Sequence, residues 1–501
     1  MSRRDRGLAV LCGAMFVSAV DMTIVNVALP AISEELDAGV SELQWVLDGF
    51  LVAFAGLLLL GSGMADRFGR KRVFLSGMAA FGVASVLCAL SRTPETLIGA
   101  RVLMGGSLAC VSPPALSLIA VMYPPEERER ALSVWVVVAG AGLVLGPVLG
   151  GVLVSQIGWQ AVFLVNVPVA VAVVAAGLAL LPESRRPGAP PLDISGAALS
   201  VLSLGAIVFA LIEGPEAGWG SPVVLAPAAA GMVAGALFVR GELRRRYPLF
   251  DVRVLRRPAV AAGAVALLSM YIALLGALFL IPQYLQYVHD RSVEATGLLL
   301  VPLGVGVAVG SRYAPRALER FGARPTVAGG LAGFAVSAAL LVALATGTAV
   351  WLVMVLTGVF GALFAFAAQP ATGVIMDDLG DEKAGDGGAI NQLSRQVGGA
   401  LGVAVVGTVF AGAYASQVEE ELGALPPGHR ERASHSIEEA RDVLAHLPNG
   451  LRDVLTMRVD DAFDSAAHLG FGVCAGVMGL AAVFAAFALA PRRRKSAPGS
   501  I

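Results

Sequence analysis

Charge is what this chain has least of. Only 15% of its 501 residues are Asp, Glu, Lys or Arg, where a soluble domain carries roughly 25%. Lysine is scarcest, present only at Lys71, Lys383 and Lys495. Cysteine occurs four times, at Cys12, Cys88, Cys110 and Cys474, always inside an apolar run, with no CxxC pair and no His close in sequence. That excludes a disulfide scaffold and a Cys/His metal centre, and leaves the four as small residues of a membrane core. HExxH, GxSxG and P-loop patterns are missing, so no motif supports an enzyme. No period-two alternation of Val, Ile and Thr points to a β-barrel.

What is present is apolar. Hydrophobic residues make up 56% and mean hydropathy is +0.76, which describes a polytopic membrane protein. Fourteen apolar runs stand out: 7–30, 44–65, 73–91, 96–121, 131–154, 161–181, 194–213, 222–239, 259–284, 295–311, 326–345, 350–370, 389–414 and 467–490. Most have the ~17–25 residues that a bilayer of ~30 Å requires of a helix. The first run is too long for a signal peptide and lacks a clear cleavage site, so it is expected to stay as the first helix. An even number of spans puts both termini on one side. With that side inside, 27 of the 36 Lys and Arg fall in cytoplasmic segments, seven in outside loops and two within spans. This bias predicts a multi-pass protein of the cytoplasmic (inner) membrane with both termini cytoplasmic. The five His, at 289, 429, 435, 446 and 468, then all lie outside, and no metal site is expected.

The stretch Ser62 to Arg72 organises the rest. Five charges sit in seven residues, Asp66 to Arg72, between two apolar runs. A loop so short is a hairpin between membrane helices, with Gly69 permitting the turn. Asp66-Arg67-Phe68-Gly69 returns as Glu319-Arg320-Phe321-Gly322, 253 positions later. A hairpin recurring at half-length predicts two related halves. The first lies between spans 2 and 3 and the second between spans 10 and 11, so spans 7 and 8 are extra. The expected parts are a first six-helix bundle (1–185), two inserted helices with a basic segment around Arg244-Arg245-Arg246 (186–257), and a second six-helix bundle (258–501). The second bundle includes an outside loop, 415–466, with a helical pattern over Ser434 to Leu447.

Ionisable groups inside spans are costly and therefore informative. Asp21 lies in span 1, Asp48 in span 2, Arg101 in span 4 and Arg395 near the inner end of span 13. By helical rise, Asp21, Asp48 and Arg101 all fall ~6–13 Å from the outer ends of their spans. They are expected to line one cavity, where an Asp beside an Arg gains and loses a proton as its surroundings change. Arg395 reads first as a charge at the start of its helix. Gly142, Gly146 and Gly150 recur every fourth residue of span 5, with Pro147 and Gly151 beside them. Such a face lets another helix approach closely, and Gly306 and Gly310 of span 10 offer a matching surface across the halves. Asp66 is expected to act in a conformational latch with Arg67, Gly69, Arg70 and Arg72. It would dock on a helix N-terminus of the other half or pair with Arg128 or Arg130.

These residues resemble the major facilitator superfamily, in its fourteen-span drug:proton antiporter branch. The matches are Asp21 to Pro30, the hairpin 62–72, Arg101 to Gly106, Gly142 to Gly151, Asn166-Val167-Pro168 and Arg395 to Gly399. The span 5 pattern resembles that of antiporters rather than symporters, and Asp48 after Trp45 is similar to exporters of lipophilic cations. The resemblance implies an all-α fold of two six-helix bundles plus two central helices. It also implies proton coupling through Asp21 and Arg101 and gating through Asp66, Gly69 and Arg70. Ser62 and Met104 depart from it, standing where Gly and Gln are common. The expected function is proton-coupled export of lipophilic, cationic drugs or antibiotics by a monomer in the bilayer. The proton is the coupling ion, no cofactor is needed and no nucleic acid takes part. Phe50, Trp135, Tyr271, Phe279, Tyr284 and Arg395 are candidates for the substrate cavity. Export of one specific metabolite, antibiotic, peptide or lipid is the alternative, and a membrane-embedded sensor or enzyme the remote one.

Overall fold

The computed structural model describes residues 3–186, 188, 191–245, 251–342, 350–380, 384–423 and 425–489. Arg246, Lys383 and Lys495 lie outside the described residues. Among the described residues, fourteen helices are long and apolar enough to cross a membrane. They are Arg3–Leu36 (α1), Val40–Phe68 (α2), Arg70–Ala89 (α3), Pro94–Met122 (α4), Arg130–Gln156 (α5), Ala161–Leu180 (α6) and Ile194–Ala217 (α7). After them come Pro222–Arg244 (α8), Pro258–Tyr287 (α9), Val293–Phe321 (α10), Ala323–Leu341 (α11), Trp351–Leu379 (α12), Asp386–Glu421 (α13) and Gly450–Ala488 (α14). With fourteen crossings, the first and last of these helices begin and end, at Arg3 and Ala488, at one end of the bundle, the near end; the other is the far end.

The recurring hairpins have the same backbone. Gly69 turns α2 into α3 at φ +110°, and Gly322 turns α10 into α11 at φ +83°. Both values fall where only glycine is unstrained. The close packing recurs as well. In the first half, a Cβ on Gly61 would overlap the Ala109 carbonyl, and one on Gly105 the Phe50 carbonyl, so α2 and α4 meet backbone to backbone. In the second half, Gly306 and Gly310 meet the carbonyls of Gly358 and Ala362, joining α10 to α12. Gly398 and Gly402 bring α13 equally close to α9.

The glycine face of α5 corrects an expectation. Gly142 packs on Phe16 and Ala19, Gly146 on Val20 and Thr23, and Gly150 on Ile24, all on α1 of the same half. Gly306 and Gly310 likewise stay within their own half. The seam between the halves uses neighbouring atoms instead. Gly151 faces Val293 and Glu294, and the Pro147 carbonyl faces Gly297, at the far end of α5 and α10. The reason is helical phase: Gly151 lies about 100° from Gly150, so it looks toward a different helix.

Other contacts across the halves also gather toward the far end. The Gln286 amide donates to the Val27 carbonyl at 3.2 Å, and Gln44 packs on Gly407. Of the two inserted helices, α7 lies along α2 and α13. Val201 packs on Gly56, Phe209 stands 6.1 Å from the Trp45 ring, Ser41 donates to Glu216 at 2.7 Å and Thr408 donates to the Leu211 carbonyl at 2.6 Å. Helix α8 packs on α7, with Gly231 against Ser203, and exposes Val223, Leu225, Met232 and Val233.

The expected loop 415–466 is mostly helix. α13 and α14 run 36 and 39 residues, ~54–59 Å at 1.5 Å per residue, and so project past the far face. Between them lie two short helices, Pro427–His435 and Ile437–Ala445. The second is capped by Ser436, which accepts from the Glu439 amide, a Ser-x-x-Glu start. It buries Ile437, Ala440, Val443 and Leu444. Ile437 and Glu438 reach a cleft shared by Ser33, Leu43, Phe410 and Tyr414, so this helix touches both halves. Arg441 ties it down, donating to the Tyr287 carbonyl at 2.9 Å and to Asp460 at 3.2 Å.

Two outcomes are expected. Gly146→Ala, whose methyl would meet Thr23, should lower thermal stability by roughly 1–3 kcal/mol, read as a drop in melting temperature in detergent. Gly140→Ala, with open space around it, should not. Burial, with the Glu34 charge nearby, pushes the Glu438 carboxyl up to about 7, against the opposing hydrogen bonds of its own backbone amide and Ser33 and the pull of Arg441. A raised carboxyl favours the docked helix at low pH. Its contribution is complete below the ordinary Glu range and is lost as pH rises through about 7. The protection factors of the amides across 437–445, with the intrinsic base-catalysed exchange divided out, should therefore fall between about pH 5 and pH 8, and Glu438→Gln should flatten that fall.

Candidate functional site

Three helices of the first half deliver one buried cluster. Asp21 comes from α1, Arg101 from α4 and Asn166 from α6, and the three are 0%, 1% and 0% exposed. Arg101 Nη1 lies 2.7 Å from Asp21 Oδ2, and Asn166 Nδ2 donates to Asp21 Oδ1 at 3.1 Å. The guanidinium has further holds: Nε donates to the Val46 carbonyl of α2 at 2.9 Å, and its carbon lies 4.3 Å from the Phe50 ring centre. Met104, where a Gln is common in the resembling branch, supplies its thioether 3.7 Å from Nη1. A soft sulfur contact thus takes the place of an amide.

Burying two charges costs several kcal/mol per ion, repaid only by good geometry and additional hydrogen bonds. Here both carboxylate oxygens and two guanidinium nitrogens are bonded. The holds are unequal. Arg101 is fastened to α2 as well as to Asp21, whereas the Asp21 carboxylate is held by Arg101 and Asn166. Neutralising Asp21 would therefore loosen the polar tie of α1 to α4 and α6 while Arg101 kept its grip on α2.

Asp48 does not join this cluster, contrary to expectation. On α2 it lies about 200° around the helix from Val46 and Phe50, which face Arg101. Its neighbours one turn either way face elsewhere: Gln44 packs on Gly407 of α13, and Val52 on Gly205 of α7. Asp48 is fully buried, and neither carboxylate oxygen has a hydrogen-bond partner among the described residues. The same holds for both amide atoms of Gln44.

The hairpin is engaged, but not with the expected partners. Asp66 pairs with Arg70 at 3.0 Å, and Arg128 donates to the Ala120 carbonyl instead. The hairpin docks on the extended exit of α6. The Arg70 amide donates to Ser184 O at 2.8 Å and the Arg186 amide to Asp66 O at 3.0 Å. Glu183 accepts from the Lys71 amide at 3.2 Å and lies 3.6 Å from Arg72. Arg67 turns over the exposed Phe68 ring.

Besides a far-end cleft of about 640 Å³ lined by Glu34 and Asp37 of one half and Arg291 and Arg441 of the other, two small cavities lie deeper between the halves. One, of about 10 Å³, is lined by Met22, Phe50, Arg101, Leu275 and Val403 among others. The second, of about 40 Å³, lies nearer the termini and includes Met15, Ser18, Trp135, Gln392 and Gln396 in its wall. Among the described residues, neither wall contains an acidic side chain. Drug-sized ligands occupy ~300–1,000 Å³, so the chamber is collapsed in this state. Phe50 and Trp135 border these cavities as expected. Tyr271 stands beside Phe364 at 5.4 Å between ring centres, and Arg395 lies over it at 5.6 Å. Arg395 is about nine residues into α13, ~14 Å along it, so it is not a charge at the start of a helix. Phe279 is fully buried, and Tyr284 packs on Phe471 and His289 toward the far end. Neither lines the two cavities.

Asn166 is the cluster member that sequence reasoning passed over as a site. Its only signal was an amide directly before Val-Pro in an apolar run.

A family model described as Major Facilitator Superfamily matches residues 11–403. The chain is 35% identical over 447 residues to the tetracenomycin C resistance and export protein of Streptomyces glaucescens, covering 87% of this chain and 81% of that one. It is 33% identical to the multidrug resistance protein Stp of Mycobacterium tuberculosis, covering 81% and 76%. In fold it is similar to a bacterial homologue of the human lysosomal transporter Spinster, solved inward-facing and occupied. The TM-score is 0.69 at 16% identity, covering 97% of both chains. Fourteen apolar helices, a twice-used hairpin and this family match together establish that the chain belongs to the major facilitator superfamily and is a transporter, not an enzyme.

Proposed function

We propose that this protein is a proton-coupled antiporter that exports lipophilic drugs or antibiotics across the cytoplasmic membrane by alternating access. The observation that carries the reading is the buried Asp21–Arg101 pair with Asn166 on the free carboxylate oxygen. A carboxylate so placed is a proton seat whose occupancy changes what holds α1 to α4. Relatives named for antibiotic resistance and export support the direction and the kind of cargo.

The distribution of basic residues supports cytoplasmic termini. The far end would then be the outside, and the contacts gathered there support a state closed to the outside. A proton arriving on Asp21 from outside neutralises the pair, lets the bundles rock and leaves toward the cytoplasm in the opposite state. Asp48 is a second carrier. Among the described residues no hydrogen-bond partner meets its carboxylate in this state, and taking up a proton is what would offset its charge. The Asp66–Arg70 pair is the resting form of the hairpin latch. Opening to the outside would bring a helix N-terminus of the second half against Asp66. Phe50 and Trp135 supply apolar surface for the cargo. The protein needs no cofactor and works as a monomer in the bilayer.

In a pump-deficient bacterial host, a panel of fluorescent lipophilic dyes that includes ethidium should be effluxed, and a protonophore should stop the efflux. Efflux indifferent to the protonophore would refute proton coupling. Asp21→Asn should abolish efflux at an unchanged membrane level. Arg101→Met strands the Asp21 charge and should cost roughly 3–5 kcal/mol of stability. Adding Asp21→Asn to it should restore much of that loss in a thermal melt, without restoring efflux.

A further inference from the structure

Asp48 is fully buried, and the spaces between the halves pass it by. Neither Asp48 nor Gln44 lines the far-end cleft or the two smaller cavities, although Leu47, Phe50 and Leu51 line the smallest. A different surface leads to it. Ser41, Gln44, Trp45 and Asp48 stand at i, i+3, i+4 and i+7 of α2, so they share one face. From Ser41 to Asp48 this stripe runs ~10 Å inward from the far end. Its outer end is acidic and wet. Ser41 donates to Glu216 of α7 at 2.7 Å, and Glu216 is exposed. The Trp45 indole N–H donates to Glu213, beside which Glu216 and Glu42 add further negative charge. The inner end is dry. Gln44 and Asp48 are 0% exposed, and all four of their side-chain polar atoms lack a hydrogen-bond partner among the described residues. The stretch 400–411 of α13, which meets the stripe at Gly407, has no charged side chain.

A group of acids at a rim gathers cations, protons included, from the water outside. A primary amide has an acceptor oxygen and two donor hydrogens, so Gln44 is fitted to stand between a donor on one side and a carboxylate on the other. Buried polar atoms that bond nothing in the protein are the ones that internal waters bond. We propose that Glu213, Glu216, Ser41 and Gln44 form a proton lead from the outside to Asp48, running between α2, α7 and α13 and separate from the chamber that carries cargo. A proton from outside water binds Glu213 or Glu216. It passes Ser41 and Gln44 on water admitted along the stripe and ends on Asp48, which changes from carboxylate to carboxylic acid. The donor carboxylate is left ionised and takes its next proton from outside. Gln44 is the gate, because it alone separates the wet end of the stripe from the dry one. The inserted helix α7 thus supplies the mouth of the lead as well as a wall. The inference rests on the proposed role of Asp48 as a carrier and adds where its proton enters.

Infrared difference spectroscopy of the purified full-length protein in lipid vesicles tests it. The carbonyl band of protonated Asp48 is the one lost in Asp48→Asn, and its shift after transfer to deuterated buffer times exchange at that group. Gln44→Leu removes the amide at similar volume and should slow the exchange at least about tenfold. Glu213→Gln should slow it severalfold. Gln44→Ser, small and polar, should keep it near the unaltered rate. Glu34→Gln, in the far-end cleft between the halves, should leave it unchanged. Equal rates in Gln44→Leu and the unaltered protein would overturn the proposal. So would slowing by Glu34→Gln without slowing by Glu213→Gln, which would place the entry at the seam. Absence of the band from the unaltered protein at every pH at which it stays folded would overturn it too. If Gln44→Leu does not fold, Glu213→Gln and Glu34→Gln still decide. The measurement needs neither gradient nor cargo. Exchange that follows this pattern in a protein whose efflux ignores a protonophore would refute coupled export while upholding the lead.

Discussion

A charge without water must be answered by another charge or by hydrogen bonds, and the first half of this transporter is arranged around one such answer. Asp21 and Arg101 lie at the crossing of α1, α4, α6 and α2. Each helix contributes something the pair requires: a carboxylate, a guanidinium, an amide, and a backbone carbonyl with an aromatic face. Substituting any one of them alters the whole balance. The arrangement is also lopsided. Arg101 is held by α2 through Val46 and Phe50, so the guanidinium keeps neighbours whether or not Asp21 is charged. In the proposed mechanism the acid is the partner that takes up the proton, and the tie of α1 is the one loosened by it.

A switch of this kind moves halves only if each half is stiff. The glycines supply that stiffness through close approach. α2 with α4 and α10 with α12 touch carbonyl to Cα, as do α1 with α5 and α9 with α13. At that separation, dispersion contacts are dense and even a methyl group is an intruder. The glycine face of α5 therefore builds a bundle rather than sealing two bundles together. The sealing falls to Gly151 and the Pro147 carbonyl against α10, and to the short helix Ile437–Ala445 beyond the membrane. These contacts sit at one end, as suits an interface that must open.

Much of this was legible in the chain. Hydropathy gave the count of fourteen, because twenty apolar residues in lipid have few alternatives to a helix. The hairpin repeat located the halves, because Gly69 and Gly322 mark turns that other residues resist. Asp21 and Arg101 announced themselves by their cost. Asn166 did not, since a neutral amide carries no such penalty and its value appears only against a carboxylate 145 positions away. Asp48 was misplaced by phase: its depth could be counted along the sequence, but its side of α2 could not. The partner of the 66–72 hairpin was missed for a related reason. Glu183 and Ser184 lie in an irregular segment, and where such a segment returns is decided by the packing of α6 on α3.

The position of Asp48 gives the inserted helices a physical purpose. The face of α2 bearing Gln44, Asp48 and Val52 looks away from the first half's own cluster. On one side it meets α13. On the other it meets α7, through Phe209 against Trp45, Gly205 against Val52 and Val201 against Gly56. Remove α7 and that face of α2 would meet lipid, where a carboxylate is among the costliest side chains to expose. α8, with its apolar outer surface, then covers α7 from the bilayer. The extra pair thus turns an untenable lipid-facing acid into a dry, enclosed one at the edge of the seam between the halves. Under the proposed alternating access, an acid at that seam would see its surroundings change between states, which is what a second proton carrier requires.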